Sequence, residues 1–566
     1  MVKMMIQDPA VAELKGMDRL TEGFVVKREA FFLDGPVTRR VAVLDFDPES
    51  GQLHPGARFA PPRPGRQRGT YEVADPDDIH ASGFIQVSVF GTVLRTMYMF
   101  EDEDTLGREV RWAFDGPQLL VIPRAGQWAN AFYERESRSL QLFYFDSPAG
   151  TIYTSLSRDI VAHETGHAVL DGIAPALYHA VAPQSLALHE AIADMTALFL
   201  SLQSQALVDA VLREKAGSIQ EPTAFNSIAE EFGKALDPEG RAHYLRNLNN
   251  RRTLDPDDQS VDEQGRRNRV EPDEPHDLSE VLSGALYSVL MRQHATSTEQ
   301  VARDDGLERL AASGKALAIA GRRLQRMYFR ALDYLPPGEV SFADYGRAII
   351  AADQASHPED DRERRSIREE FVRRHLAADE ASLDAETNFE DPALKDVDMA
   401  TLVESDWAAY DFATRNRKLL GIPSDVPFRV FPRLDSTKLY YHRDGRRPVR
   451  ECILKVSWDH SEPNPLGPAF PAQRKISVGT TVAIDWETRR IRSRLTTNPS
   501  EQRQDRDRML LRMADTGMLL PDRLALGPDG RPLRSIVRAE SLGDVMRVRG
   551  AARMLHLAPL RQEEAP

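Results

Sequence analysis

The feature that most constrains the fold is the pentapeptide HETGH at residues 163–167. Its two histidines are separated by one helical turn, so on an α-helix they lie on one face, with Cβ atoms roughly 5 to 6 Å apart. That spacing lets both imidazoles reach the same metal ion, while Glu164 points to the side on which a further ligand would lie. We therefore predict a helix through these residues that presents both imidazoles to one metal ion.

A second His-Glu dipeptide, His189-Glu190, opens the run HEAIAD, which ends at Asp194. Apolar residues separate Glu190 from Asp194, so the two carboxylates lie one turn apart on one helix face. Glu190 then supplies a third ligand, and two histidines with one glutamate leave a fourth position open, as in catalytic zinc sites. A structural zinc site would normally use cysteines, and Cys452 is the only cysteine in the sequence.

These motifs carry a family resemblance. The run DIVAHETGHAVLDGIAPALY at 159–178 resembles the active-site helix and following segment of the thermolysin-like neutral metallopeptidases, and HEAIAD is similar to the family's helix with the third ligand. The likeness extends to WANAFYE upstream and to MYFRALDYLPPGEVSFADYGRAIIAA downstream, and covers roughly residues 85–378. The resemblance implies an α+β fold with an N-terminal β-rich lobe, a mainly α-helical lobe and the zinc helix between them.

Three domains follow from this comparison and from the sequence pattern. Residues 1–155 are the expected β-rich lobe with an edge strand for substrate, and residues 156–385 the expected helical zinc-binding lobe. Strand-like runs return beyond Asp406, so residues 396–566 are predicted to form an extra α+β domain of unknown role. With a boundary near 385–400, a chain ending at residue 396 is expected to stay folded.

Position by position, the resemblance implies the residues of the metal centre. Its zinc ligands are His163, His167 and Glu190. Glu164 matches the general base that later donates the proton. Asp194 matches the carboxylate that orients a ligand histidine by accepting its other ring N–H.

The resemblance also implies residues that contact the substrate. Tyr178 and His276 match the two donors that stabilise the oxyanion, and Arg246 matches the arginine that grips a substrate carbonyl. The remaining expected substrate contacts are the edge-strand residues Asn130 and Ala131, and the pocket residues Ile160 and Leu245.

The sequence departs from the family pattern at several positions. His189 replaces the asparagine before the third ligand, and is expected either to support the ligands from behind or to be an ordinary surface histidine. Asp159 matches a calcium-binding aspartate, but Ser201 stands where the family has a glutamate, so Asp159 is expected to stabilise the start of the helix instead. We therefore expect one zinc ion and no calcium pair. The family's secretory leader and pro-region are not recognisable.

Composition excludes several partners. The net charge is -14 and arginines are interspersed with acids, which argues against nucleic acid or an anionic membrane surface as a partner. No apolar run approaches the ~18 residues needed to span a bilayer, and the first residues lack the apolar core of a secretory signal. A single cysteine excludes an intramolecular disulfide. The sequence therefore predicts a cytoplasmic protein, although leaderless export and any oligomeric state stay open.

The predicted function is that of a zinc-dependent endopeptidase, which hydrolyses polypeptides with a metal-bound water before a bulky apolar residue. A metallo-aminopeptidase is the nearest alternative, but its G-x-M-E-N motif is absent. A non-catalytic scaffold stabilised by zinc is the other alternative, and the presence of Glu164 argues against it.

Local patterns predict further elements. They indicate a helix over 1–23, a hairpin within 24–51, a helix near 87–101, short strands at 119–123, 130–134 and 139–145, and helices from 156 to about 378.

Overall fold

The computed structural model describes residues 1–557, apart from positions 15, 16, 18, 48, 49, 66, 74, 76, 77, 149, 222, 264, 443 and 444 and the segments 237–245 and 522–535. The fold is mixed α+β, with a β-rich N-terminal region, a helical middle and a second β-rich region after it. The predicted α+β class is therefore confirmed.

The N-terminal region consists of short strands around one long helix. Its elements are β1 (Val2–Met5), β2 (Thr21–Phe24), β3 (Val41–Val43), β4 (Arg58–Ala60), β5 (Thr70–Glu72), α1 (Ser82–Glu101), β6 (Leu119–Ile122), β7 (Ala131–Glu134), β8 (Ser139–Leu142), β9 (Tyr144–Ser147) and β10 (Gly150–Tyr153). A four-stranded sheet has the order β3-β6-β8-β7, so β7 is an edge strand, as the run NAFYE predicts. Helix α1 is apolar on almost all of its circumference and is buried beside this sheet.

Two predictions for this region are wrong. The segment 1–23 is not a helix, because β1 pairs antiparallel with β2, and the one helical element among the described residues between them is a 3₁₀ turn at Pro9–Glu13. β1 packs closely on α1, where a Cβ added at Gly91 would lie 2.9 Å from Val2 Cγ2. The predicted hairpin within 24–51 is reduced, among the described residues, to isolated antiparallel bridges at Leu33–Val37, Val37–Ala42 and Phe46–Leu53, since β3 pairs in parallel with the distant β6.

The middle of the chain is helical, as predicted. Its elements are α2 (Arg158–Ile173), α3 (Pro183–Ser201), α4 (Gln205–Glu214), β11 (Ser227–Ile228), α5 (Glu230–Leu236), β12 (Arg246–Asn247), α6 (Pro275–Asp305), α7 (Arg309–Tyr334), α8 (Phe342–Ser356) and α9 (Arg362–Arg373). Helices α2 and α3 pack closely at Gly166, where an added Cβ would lie 3.1 Å from Ala193 Cα and 3.0 Å from Thr196 Oγ1. Among the described residues, no single helix is long and apolar enough to cross a membrane. Helices α3 and α4 together have the required length and apolar character, but they are bent by 90° at the break between them.

The C-terminal region is built on a large sheet. Its elements are β13 (Glu386–Phe389), α10 (Met399–Glu404), α11 (Asp406–Arg415), β14 (Phe428–Val430), β15 (Leu434–His442), β16 (Gly445–Pro463), β17 (Gln473–Asp485), β18 (Ile491–Thr496), α12 (Arg503–Asp515), β19 (Leu519–Leu520), β20 (Val537–Leu542), β21 (Val545–Arg549) and α13 (Met554–Leu557). The long strands β15, β16, β17 and β18 pair antiparallel in chain order.

Buried charges join the C-terminal sheet to the helical middle. Lys438 on β15 has its Nζ 3.2 Å from Asp333 Oδ2 on α7 and 3.2 Å from Glu451 Oε2 on β16, and all three side chains are fully buried. Tyr334 donates a 2.8 Å hydrogen bond to Glu451, and Ile453 of the sheet belongs to the main hydrophobic core. This shared interior argues against the expectation that a chain ending at residue 396 folds alone.

Candidate metal centre

Helices α2 and α3 bring the three predicted zinc ligands together. His163 Nε2 and His167 Nε2 lie 3.1 Å apart. Glu190 places Oε2 3.5 Å from His163 Nε2 and Oε1 3.4 Å from His167 Nε2. Ligands held tetrahedrally at about 2.0 to 2.1 Å from one zinc ion are separated by about 3.3 Å. The spacing of these donor atoms therefore fits a zinc ion.

The donor chemistry fits as well. All three side chains are buried, and Glu190 Oε1 has no hydrogen-bond partner among the described residues. Burial alone would raise the pKa of Glu190, but Arg246 and the two histidines outweigh it and hold that pKa well below its usual range. Glu190 is thus an ionised carboxylate with one oxygen that no protein donor satisfies, as expected of a metal ligand.

Asp194 and His189 lie behind the ligands. Asp194 Oδ1 is 3.1 Å from His163 Nδ1, so this carboxylate lies against the ring nitrogen that does not face the other ligands. The His189 ring centroid is 5.7 Å from that of His167. Burial lowers the pKa of His189 to about 3, so its imidazole is neutral. Of the two alternatives for His189, the structure excludes a surface position.

Glu164 lies close to both histidines and also contacts the edge strand β7. Its side chain is buried, and Tyr133 N on the edge strand β7 donates a 3.0 Å hydrogen bond to Glu164 Oε2. Burial raises the pKa of Glu164 to about 8, with Glu190 adding to the rise, while His163 and the Tyr133 N–H oppose it. Burial thus favours the neutral form of Glu164 more than in an exposed glutamate.

A cavity of about 350 Å³ adjoins the centre. Five of the predicted substrate and oxyanion residues line it: Asn130, Ala131, Ile160, Arg246 and His276. Ile228, Ala229 and Phe232 complete an apolar wall that the sequence reading did not identify. Leu245 lies outside the described residues.

Arg246 contacts the predicted ligand Glu190 and its neighbour Asp194 directly. It sits on β12, opposite Ile228 in the short β11–β12 pair. Its Nη1 is 2.5 Å from Glu190 Oε2 and its Nη2 is 3.3 Å from Asp194 Oδ1. The guanidinium therefore neutralises both carboxylates of α3 and is fixed beside the cavity.

The two predicted oxyanion donors are placed differently. His276 is in the first turn of α6 and lines the cavity, with Nδ1 3.6 Å from Glu274 Oε1. Burial lowers the pKa of His276, but Glu274 and Glu190 outweigh it, so the pKa is raised. Tyr178 does not line this cavity; its ring packs under Arg135, whose Cζ is 4.1 Å from the ring centroid. Its hydroxyl is buried without a hydrogen-bond partner among the described residues.

Asp159 has a structural role at the start of α2. Its carboxylate accepts hydrogen bonds from Ile160 N at 3.0 Å, from Ala229 N at 2.7 Å and from Ser157 Oγ. Ser201 Oγ lies 2.9 Å from Gln7 Oε1 and 2.9 Å from the carbonyl oxygen of Ala197, and its single O–H can donate to either. These contacts agree with the expected helix-stabilising role of Asp159, and the predicted lack of calcium stays a prediction.

His556 also lies at this centre, although no sequence motif indicated it. This residue is on the one-turn helix α13, and its Nε2 lies 3.5 Å from Glu190 Oε1. Its ring centroid is 4.9 Å from that of His167, and its carbonyl accepts a 2.8 Å hydrogen bond from Asn130 Nδ2. No local motif surrounds His556, so only tertiary structure reveals its position.

The chain matches no protein-family model, and no curated protein matches it. The resemblance to thermolysin-like metallopeptidases therefore stays a prediction, which rests on the motifs quoted above.

Proposed function

We propose that this chain is a zinc-dependent endopeptidase of the thermolysin-like type. The observation that carries the proposal is the position of Glu164, a buried carboxyl beside His163 and His167 that the ligand set does not need. A purely structural zinc site has no use for such a group, because burying an ionisable side chain costs free energy. A hydrolytic site needs it as general base.

The substrate is a polypeptide in extended conformation. β7 is the edge strand of its sheet, and the N–H of its residue Tyr133 donates a hydrogen bond to Glu164. A peptide can add to such an edge through main-chain hydrogen bonds. Its side chain after the scissile bond would enter the cavity walled by Ile160, Ile228 and Phe232. That wall favours a bulky apolar residue at this position.

The chain's own groups supply the proton transfers and the charge stabilisation. Zinc held by His163, His167 and Glu190 would polarise the scissile carbonyl and lower the pKa of the attacking water. Glu164 accepts the proton of that water and delivers it to the leaving amine. His276, which Glu274 helps to keep protonated, donates a hydrogen bond to the developing oxyanion.

A specific observation favours a second candidate, the non-catalytic zinc scaffold. With His556 beside Glu190, four protein side chains surround the expected ion, and structural zinc sites are closed in this way. In the scaffold, His556 stays in place and Glu164 has no role in catalysis. In the peptidase, His556 can be displaced and hydrolysis depends on Glu164.

The test is Glu164→Gln, made both in the wild-type chain and in a His556→Ala background. The variant should keep one zinc per chain, while hydrolysis of a peptide blocked at both ends should fall by at least about 10² to 10⁴. Glu299→Gln, on an exposed part of α6, is the matched control and should leave the rate unchanged. If neither the wild-type chain nor His556→Ala cleaves any peptide, the scaffold hypothesis is correct. Cleavage restricted to peptides with a free N-terminus indicates an aminopeptidase.

A further inference from the structure

The segment Gly550–Leu557 lies against the candidate metal centre. Within it, Leu555 and His556 line the same cavity as His163, Glu164 and Glu190. The His556 side chain is only 14% exposed, and its Nε2 lies 3.5 Å from Glu190 Oε1. That separation equals the 3.5 Å between Glu190 Oε2 and His163 Nε2. His556 thus stands at the spacing of an additional ligand in the same set.

This segment also contacts residues that are predicted to bind substrate. Asn130 Nδ2, at the start of the edge strand, donates its 2.8 Å hydrogen bond to the carbonyl of His556. Leu555 contributes an apolar side chain to the cavity expected to take a bulky apolar residue. The chain therefore places one of its own carbonyls and one of its own apolar side chains where those of a peptide are expected.

The segment is attached by contacts outside the metal centre. Arg553 Nη2 forms a 3.0 Å ion pair with Glu134 Oε1 at the end of β7. Gly550 N lies 3.0 Å from His179 Nδ1, and Ala551 and Ala552 are buried in the main core. These anchors position His556 without requiring the metal to do so.

We propose that His556 is a fourth protein ligand of the same ion and that the segment Gly550–Leu557 is a displaceable cap on the cleft. This inference rests on the proposed function. The other three ligands lie on the long buried helices α2 and α3, whereas His556 lies on a single helical turn. When the cap is displaced, His556 Nε2 would leave its position beside Glu190 Oε1, and that position would be open to water or to a peptide carbonyl.

A spectroscopic test reports the ligand independently of activity. In His556→Cys loaded with Co²⁺, a thiolate ligand should give a thiolate-to-cobalt charge-transfer band in the near ultraviolet. The wild-type chain should lack this band, because its single cysteine, Cys452, is buried in β16. A cobalt form of His556→Cys without the band would overturn the assignment.

Affinity and rate test the cap. His556→Ala should weaken zinc binding at least about tenfold, which is comparable to the loss of other groups that support a metal site. It should also raise kcat/KM on a doubly blocked peptide about tenfold or more, since the open fraction of the chain increases. His460→Ala, an exposed histidine on β16 that does not line the cavity, is the matched control and should change neither value.

A second variant removes an anchor and leaves every ligand in place. Arg553→Gln breaks the ion pair with Glu134 and should raise the rate, with zinc affinity close to that of the wild type. Faster hydrolysis in both variants supports the cap. If the wild type cleaves the peptide and neither variant is faster, the cap is refuted. If the cobalt band and the affinity loss are present but no variant hydrolyses peptide, His556 stands as a ligand and the proposed peptidase falls.

Discussion

Lys438→Met should destabilise the whole chain, because this lysine joins two buried carboxylates of different regions. Its Nζ lies 3.2 Å from both Asp333 and Glu451, and the three side chains have no exposed surface. Removing one partner from a buried ion pair typically costs 3 to 5 kcal/mol. Methionine replaces the stem of the lysine, so the loss is mainly one of charge.

The remaining contacts place the expected loss at the lower end of that range. Arg108 Nη2 still pairs with Asp333 at 2.5 Å, and the hydroxyls of Tyr334 and Tyr440 still donate to Glu451. We therefore expect the free energy of unfolding to fall by about 3 kcal/mol at pH 7.

The pH dependence has a defined sign. In the wild type, burial raises the pKa of Glu451 but Lys438 and the tyrosines outweigh it, so the pKa is lowered. A carboxyl with a lowered folded-state pKa stabilises the fold above its unfolded value, about 4, and loses that contribution as the pH falls. Without Lys438 the carboxyl can take up a proton at higher pH. The difference between variant and wild type should therefore shrink as the pH falls from 7 towards 4.

Urea unfolding followed by circular dichroism and tryptophan fluorescence measures this effect. Lys475→Met is the matched control, because Lys475 Nζ is 3.8 Å from Asp459 in a partly exposed pair, and it should cost less than about 1 kcal/mol. A loss below about 1 kcal/mol for Lys438→Met, or separate unfolding of the C-terminal region in the wild type, would refute the shared interior.

The other predictions concern the metal centre. His276→Ala should keep zinc and a near-normal KM while kcat falls about 10² to 10³-fold, as for the loss of one oxyanion donor; unchanged kcat would mean that His276 is not that donor. Because Glu274 helps to raise the pKa of His276, the rate should decline on the alkaline side, and Glu274→Gln should move that decline to lower pH in a pH–rate profile. Elemental analysis should find one zinc and no tightly bound calcium, whereas two calcium ions would show that the contacts of Ser201 had been misread. Phe232→Ala should reduce the preference for bulky apolar residues in a peptide library and leave zinc content unchanged.

The candidate metal centre was predictable to the extent that it depends on local helix geometry. The spacing of His163 and His167 on one helix, and of Glu190 and Asp194 on the next, is a property of the sequence alone. His556 was not predictable, because its place beside Glu190 depends on the tertiary path of a segment roughly 370 positions further along the chain. A one-turn helix offers no periodicity from which to infer such a contact.

The wrong predictions for the N-terminal region have the same cause. Val2–Met5 is a short stretch that is apolar apart from Lys3, and stretches this short suit a helix or a buried strand equally well. Its pairing with Thr21–Phe24, and the parallel pairing of β3 with β6, decide the structure, and neither is encoded in the local pattern.

The place of His556 along the chain also has a consequence in time. Synthesis at about 5 to 20 residues per second separates Glu190 from His556 by roughly 20 to 70 s, and Lys438 from His556 by roughly 6 to 24 s. The proposed ligands on α2 and α3 are thus synthesised long before the proposed cap. Lys438, the buried partner of Asp333, is synthesised shortly before it. If the cap forms as proposed, the cleft of a newly made chain first stays uncovered until residues 550–557 reach it, after the core has closed.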